Sequence, residues 1–219
     1  MDTDAALAAR LAHDVDAAFP ALVAGHQDRL FTIALRLLGD PRDAEEVAQD
    51  ALVRAYRAMG DYPAERVASL RLRPWLASIT VNLARNRRRR ADDRRPPLAL
   101  EPMLDSGFEV ADAAAPNPAA LAAMRESVDE LAATLLQLPS AVRVAVVLRH
   151  VDGLSVAETA EALGRPEGTV KAQVSRGLER LRALLAESPP THDHAEAAGA
   201  AAHPPLRPPR QFASAEVLR

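Results

Sequence analysis

The chain has 219 residues, of which 48% are hydrophobic, 3% are aromatic and none is cysteine, and its formal net charge is −3. This length allows one or two domains with real cores, and the lack of cysteine excludes disulfides, thiolate metal sites and a cysteine nucleophile. The sequence has no apolar run of about eighteen residues and no basic start before an apolar stretch, which argues against membrane insertion and secretion. We therefore expect a cytoplasmic protein.

The small net charge hides large differences between segments of the chain. Residues 1–70 carry −5, residues 71–95 carry +7, residues 96–140 carry −6, residues 141–186 carry +2 and residues 187–219 carry −1. Blocks of opposite charge are typical of a chain whose surfaces meet different partners. Of the 27 basic residues all but Lys171 are arginine, so arginine content alone identifies no ligand.

Proline-rich stretches divide the sequence into two blocks with helical periodicity. Five prolines fall within residues 96–118, and three Pro-Pro pairs fall within residues 187–219. Because proline at this density prevents regular helix, we predict a linker over the first stretch and a disordered tail over the second. The blocks over residues 14–95 and 119–186 show apolar residues at helical spacing and no strand pattern. The predicted fold class is all-α, with two small helical domains joined by an acidic linker.

The first block predicts three helices. One runs over residues 20–38 and stops at Gly39. The next begins with Asp40 as its N-cap and Pro41 at its first position. After a loop over about residues 60–73, Pro74 opens the third helix.

Two of these helices carry charged surfaces that suit different partners. The polar half of the second helix holds what we call the acidic face, which consists of Asp43, Glu46 and Asp50. An acidic face is by default solvated, and it could equally dock a basic partner. On the third helix Asn82 lies in one row with Ser78, Arg85 and Arg89, at the start of an arginine cluster that continues to Arg95. The cluster suits phosphate neutralisation or a solvated helix end. Asn82, which can hydrogen-bond an exposed base, favours nucleic acid.

The second block predicts a helix-turn-helix. Apolar residues mark a helix over about residues 121–135, and a break at Pro139 starts another that runs to Val151. Ser155 and Glu158 fit a capping box that opens a short helix, with Gly164 as its stop. Pro166 then opens a longer helix, and this arrangement of short helix, turn and second helix is typical of DNA-binding proteins. A plain helical hairpin that packs on another protein shares the same outline.

The polar face of that last helix suits entry into a DNA major groove. It presents small and basic residues near its amino end: Lys171, Ala172, Ser175 and Arg176. Arginine reaches guanine acceptors, while Ala and Ser allow close approach. Gly168 and Thr169 in the first turn suit phosphate contacts.

Signals of catalysis are missing from the sequence. It contains no Gly-rich phosphate loop, nucleophile elbow or His-Glu-x-x-His pattern. His192 and His194 in the tail lack a rigid frame for a metal ion. We predict no catalytic residue, no cofactor and no metal site.

Five segments in series resemble the extracytoplasmic-function (group IV) sigma factors of bacterial RNA polymerase. The segments 43–56 and 73–90 resemble the helices of their region 2. The segments 138–143, 153–164 and 167–176 resemble their region 4. The resemblance covers about residues 15–186, in the family's order and with a linker at the family's position. It implies region 2 over residues 14–95 and region 4 over residues 119–186.

The resemblance also implies a role for each surface. The acidic face would bind the clamp helices of the polymerase β′ subunit, and the chain would also contact the β flap of the polymerase. Asn82 would help to capture a flipped base of the minus-ten element, and Arg85, Arg89 and Arg90 would follow the DNA backbone. Holding an unstacked base in a pocket promotes melting. The minus-thirty-five element would be bound by Arg165, Thr169, Lys171, Ala172, Ser175 and Arg176.

These roles imply a non-catalytic protein that recognises promoter DNA, with core polymerase and an anti-sigma factor as its protein partners. Two alternatives remain open at this point: a stand-alone helix-turn-helix regulator and a purely protein-binding adaptor. A lone regulator needs no separate basic helix that bears an asparagine, and an adaptor needs no DNA-reading helix. The sequence therefore favours the sigma factor.

Overall fold

The computed structural model describes residues 4–94, with only the backbone over residues 91–94, and residues 130–187. The regular elements in these two ranges are helices, as predicted: α1 (Asp4–His13), α2 (Val15–Leu38), α3 (Pro41–Asp61), α4 (Ala64–Ala68), α5 (Leu72–Arg94), α6 (residues 130–136), α7 (Ser140–Val146), a π-helical turn (Val147–Val151), α8 (Val156–Leu163) and α9 (Glu167–Glu187). The predicted linker, and the predicted tail beyond Glu187, lie outside the described residues. No described helix is both long enough and apolar enough to cross a membrane.

Helix α2 begins five residues earlier than the sequence prediction. Its N-cap is Asp14, whose carboxylate accepts a hydrogen bond from the Ala17 backbone N–H at 3.0 Å. Pro20 therefore lies inside the helix, where its ring removes one backbone donor. Burial of Ala18 and Leu22 on either side of the proline offsets this loss.

The predicted starts and stops of the next helices follow from local chemistry. Gly39 ends α2 with a φ of 82°, and the Asp40 carboxylate caps α3 by accepting from the Asp43 N–H at 2.9 Å. Helix α5 begins at Leu72, two residues before the predicted start at Pro74, because proline is tolerated anywhere in the first turn, where no backbone donor is needed. The loop predicted over residues 60–73 contains the short helix α4.

The capping box of α8 is present as predicted. Ser155 Oγ accepts from the Glu158 N–H at 3.1 Å, and the Glu158 carboxylate accepts from the Ser155 N–H at 2.8 Å. Gly164 ends the helix with a φ of 59°. Helix α9 begins at Glu167, one residue after the predicted Pro166, because the Pro166 carbonyl accepts the first bonds of the helix.

The two helical blocks pack against each other within one compact unit. Val144, Val147, Leu148 and Leu154 of the second block are buried in the same apolar cluster as the core of α1 to α5. A smaller cluster holds α6, α7 and α9 together. We call this packing of residues 4–94 against residues 130–187 the closed arrangement.

Candidate nucleic-acid interface

The DNA-reading face predicted on α9 is open to solvent. Thr169, Lys171, Ala172, Ser175 and Arg176 are all exposed, whereas Val170 on the opposite side is buried. Val170 anchors the first turn of α9 in the protein, so the exposed residues point away from α8. The second helix of the pair therefore presents a small, basic surface of the kind that enters a major groove.

Bonds within this surface preorganise its side chains. Arg176 donates from Nε to the carbonyl of Ala172 at 3.1 Å, and Ser175 donates to Glu179 at 3.1 Å. In the turn, Arg165 is half-buried and donates from Nη1 to Gln173 at 3.1 Å. These contacts restrict the rotamers of long side chains, which lowers the entropy lost when they bind a ligand.

The residues predicted for the minus-ten element lie along the carboxyl-terminal half of α5. Asn82, Arg89 and Arg90 are exposed, and Arg85 is half-buried. Burial, and second the charge of Arg165, lower the pKa of Arg85. The closed arrangement therefore brings a residue predicted for one promoter element close to a residue predicted for the other.

Arg87 departs from the rest of the arginine cluster, because it binds the acidic face. Its guanidinium donates to Asp43 from Nε at 2.9 Å and from Nη2 at 2.5 Å, and from Nη1 to Glu46 at 2.5 Å. Asp50 is exposed on the same helix. Two of the three carboxylates predicted to dock the polymerase are thus already paired with an arginine of α5.

Aromatic and basic side chains pack together in the segment between α3 and α5. The Arg66 guanidinium carbon lies 3.7 Å from the centre of the Tyr62 ring, a cation–π contact. The centres of the Tyr62 and Trp75 rings are 6.3 Å apart. This cluster gives a defined structure to a segment for which the sequence predicted only a loop.

A buried ion pair joins the two blocks. The Asp152 side chain is fully buried and accepts from Arg29 at both oxygens, from Nε to one and from Nη2 to the other, the latter at 2.6 Å. Arg29 also donates to the Arg73 carbonyl at 3.0 Å, and Arg73 donates to the Asp152 carbonyl at 2.6 Å. Removal of either partner leaves an uncompensated buried charge, so a substitution at Arg29 or Asp152 is expected to destabilise the closed arrangement.

A neighbouring histidine, His26, carries no charge beside this pair at neutral pH. His26 is buried next to Arg29 and Arg73, and its Nε2 lies 3.8 Å from Asp4. Burial is the main cause that lowers the pKa of His26, against an opposing effect from Asp4. A neutral imidazole adds no further positive charge beside the two arginines.

Arg143 joins the blocks at the end of α2. The residue is 2% exposed, and it donates to the Leu37 carbonyl at 2.9 Å and to the Leu138 carbonyl at 2.9 Å, as well as to the Leu136 carbonyl. Burial, and second the charge of Arg88, lower its pKa to about 10, so it stays protonated at pH 7. The second block thereby supplies a donor to the last turn of α2.

A third set of contacts between the blocks is exposed. Arg71 forms ion pairs with Glu158 at 3.1 Å and with Glu161 at 2.7 Å, and its side chain is 52% exposed. Exposed pairs of this kind contribute little to stability. Arg71 is therefore a natural control for the buried pair.

None of the contacts between the blocks was predicted from the sequence. Arg29 and Asp152 are 123 residues apart, and neither lies in a motif. Only the structure shows that Arg29 occupies a half-buried position of α2, where an arginine needs a partner. Within the described ranges, no cluster of three His, Cys, Asp or Glu side chains is placed to hold a metal ion, and His192 and His194 lie outside those ranges.

Comparisons with known proteins match both helical blocks to one family. Residues 22–94 match the family described as Sigma-70 region 2, and residues 129–181 match Sigma-70, region 4. The chain is 32% identical over 176 residues to the ECF RNA polymerase sigma factor SigW of Bacillus subtilis, covering 77% of this chain and 89% of SigW. It is 35% identical over 179 residues to the ECF sigma factor SigM of Mycobacterium tuberculosis, covering 82% of each.

A solved structure shares the fold. CnrH, solved in complex with the cytosolic domain of CnrY, matches 85% of this chain and 100% of its own chain, with a TM-score of 0.62 and 29% identity. The chain contains both regions in the predicted order, and the relatives are matched over most of their length. The chain belongs to the ECF family of RNA polymerase sigma factors.

Proposed function

We propose that this sigma factor docks on core polymerase through the acidic face of α3 and reads the minus-thirty-five element with α9. Asn82 helps to capture an unstacked base of the minus-ten element while Arg85, Arg89 and Arg90 follow the DNA backbone. The single observation that carries this proposal is the exposure of two separate candidate DNA surfaces, on α5 and on α9, in one chain. A stand-alone regulator needs only the second.

The protein performs no covalent chemistry in this role and acts in the cytoplasm, where the polymerase and the chromosome are. It binds DNA through positioned side chains, with phosphate contacts that set register and base contacts that set sequence. Opening is favoured because a base held outside the stack no longer returns to its pair. A contact with the β flap completes the docking on polymerase.

The closed arrangement must open for this function. The two promoter elements are separated by about 25 base pairs, or about 85 Å at 3.4 Å per base pair. In the closed arrangement Arg71 at the start of α5 pairs with Glu158 and Glu161 of α8. Such close surfaces do not span both elements, so core polymerase separates the two blocks when it binds.

A partner protein regulates this step in our proposal. CnrH was solved together with the cytosolic domain of CnrY, and we extend this likeness to an anti-sigma factor for the present chain. A protein that binds the closed arrangement more tightly than the open one holds the sigma factor inactive, because a ligand shifts an equilibrium by its difference in affinity.

Run-off transcription with core polymerase tests the function. We expect specific initiation with core polymerase and weak binding of free duplex DNA by the isolated protein. Tight binding of an operator without core polymerase would contradict the proposal and favour a stand-alone regulator.

Two substitutions with matched controls test the residue roles. Asn82→Ala is expected to reduce permanganate reactivity of the melted strand, whereas Asn86→Ala, one turn further along the same exposed face of α5, leaves it unchanged. Arg176→Ala is expected to weaken recognition of the minus-thirty-five element by about 1–3 kcal/mol, with the exposed Arg180→Ala as its control. Unchanged melting by Asn82→Ala refutes its assignment.

A further inference from the structure

An arginine-lined cleft lies between the end of α5 and the segment that leads into α7. Its volume is about 580 Å³, and its walls include Arg85, Arg88, Arg89 and Arg143 together with residues 136–140. None of the described residues that line it carries a carboxylate. The cleft is broadly open to solvent, and its wall of guanidinium groups suits an anion.

Two of these arginines have buried donors without an acceptor. Arg143 is 2% exposed and its Nε has no hydrogen-bond partner, and the buried Nη2 of Arg85 has none either. The other bonds of Arg143 go to backbone carbonyls, which carry no net charge. Buried charged donors without acceptors are costly, and such groups call for an explanation such as a bound ion.

We propose that the cleft binds a small polyphosphate anion, the chemical group that nucleoside triphosphates and inorganic polyphosphates share. Phosphate oxygens accept paired hydrogen bonds from guanidinium groups. Linked phosphates also carry several negative charges, which match the four arginines around the cleft. Duplex DNA presents phosphates as well, and the experiment below separates that source from a free anion.

The cleft exists only in the closed arrangement, because its walls come from both blocks. Arg85 and Arg89 belong to the predicted minus-ten surface on α5, and Arg143 lies on α7. A bound polyphosphate therefore bridges the blocks and stabilises the closed arrangement by mass action. The resulting coupling between anion binding and polymerase binding rests on the proposed function, whereas binding of the anion itself does not.

Calorimetric titration of the full chain with sodium tripolyphosphate, in magnesium-free buffer at constant ionic strength, tests the site. We expect one saturable site. Arg88→Ala, which removes an exposed cleft residue that is not among the four assigned to the minus-ten element, weakens binding at least tenfold, because charge-assisted hydrogen bonds are lost. Arg57→Ala removes the same charge from the exposed surface of α3 and changes binding less than twofold.

Three results would overturn the proposal. The first is an equal loss of affinity in Arg88→Ala and Arg57→Ala, which means that the anion binds by net charge alone. The second is displacement of tripolyphosphate by a short random duplex at equal phosphate concentration, with the same dependence on Arg88, which assigns the cleft to the DNA backbone. The third is binding of tripolyphosphate only after the acidic residues within 96–129 are changed to amides. That result means that carboxylates of the unchanged chain occupy the cleft.

The coupling has a separate readout. Tripolyphosphate at ten times its dissociation constant is expected to weaken binding of core polymerase about tenfold, and Arg88→Ala removes this effect. An unchanged core affinity despite calorimetric binding refutes the coupling. Run-off transcription without the anion reports the sigma activity independently, so failure of the proposed function is recognised separately.

Discussion

The contribution of the buried pair between Arg29 and Asp152 to the closed arrangement can be measured with the substitution Asp152→Asn. The amide keeps the size of the carboxylate but removes its charge, so the Arg29 guanidinium, with a side chain 16% exposed, loses its counter-charge. Removal of one partner from a buried pair costs about 3–5 kcal/mol. Arg29 retains its bond to the Arg73 carbonyl, so we expect a cost near the lower end, about 3 kcal/mol.

This cost falls on the closed arrangement, because water solvates both side chains once the blocks separate. A change of about 3 kcal/mol raises the open fraction about a hundredfold. Since the apparent dissociation constant varies inversely with the fraction of competent molecules, core polymerase is expected to bind the variant up to about a hundredfold more tightly.

Fluorescence anisotropy measures this affinity readily, because the chain has no cysteine and one can be introduced for labelling. The exposed Ala24 on α2 is a suitable position. The control is Arg71→Ala, whose exposed pairs are expected to contribute less than about 1 kcal/mol, or about fivefold. If Asp152→Asn gains no more affinity than Arg71→Ala while keeping its helical circular dichroism, the buried pair does not hold the blocks together.

Further predictions concern packing, capping and docking. Gly177→Ala places a methyl group against α7, 2.9 Å from Val142 Cγ1, and is expected to lower the free energy of unfolding in urea by about 1–3 kcal/mol. Gly168→Ala on the same helix is the control, because its methyl group meets no atom within 4 Å. An equal effect of the two substitutions would contradict the packing argument. Backbone hydrogen bonds at the α8 cap lower the pKa of Glu158, so its stabilisation is present above the ordinary carboxyl pKa and disappears as pH falls through the lowered value. Unfolding curves of Glu158→Gln should therefore differ from the parent at pH 7 and converge in acid, and a constant difference would refute the charge effect. Arg87→Ala frees the acidic face and is expected to tighten core polymerase binding up to about fivefold in a salt-dependent manner; weaker binding in anisotropy titrations would show that Arg87 orients the carboxylates for docking.

Local chemistry made much of the fold predictable. Asp40 and Pro41 at the start of α3, and Ser155, Glu158 and Gly164 around α8, lie within a few residues of the groups they satisfy. Their effect on the backbone can therefore be worked out from the sequence. The same holds for the exposed face of α9, which follows from helical periodicity.

Contacts between distant residues were not predictable. The sequence predicts a helix start at Pro20, since local rules disfavour proline inside a helix, whereas the Asp14 cap and tertiary burial extend α2 back to Val15. The sequence groups Arg87 with its neighbours as a phosphate ligand, but α3 packs beside it and supplies two carboxylates. The roles assigned to the DNA-binding and polymerase-binding residues stay predictions.

The bond from Arg143 to the Leu37 carbonyl has a consequence for how opening can be observed. When the blocks separate, the last turn of α2 loses a donor from α7, and the end of that helix becomes free to fray. Amide hydrogen exchange at residues 37–39 is then expected to be governed by the rate and frequency of block separation rather than by unfolding of α2 as a whole. Exchange at the end of α2 would then report, without any label, how often the two blocks separate.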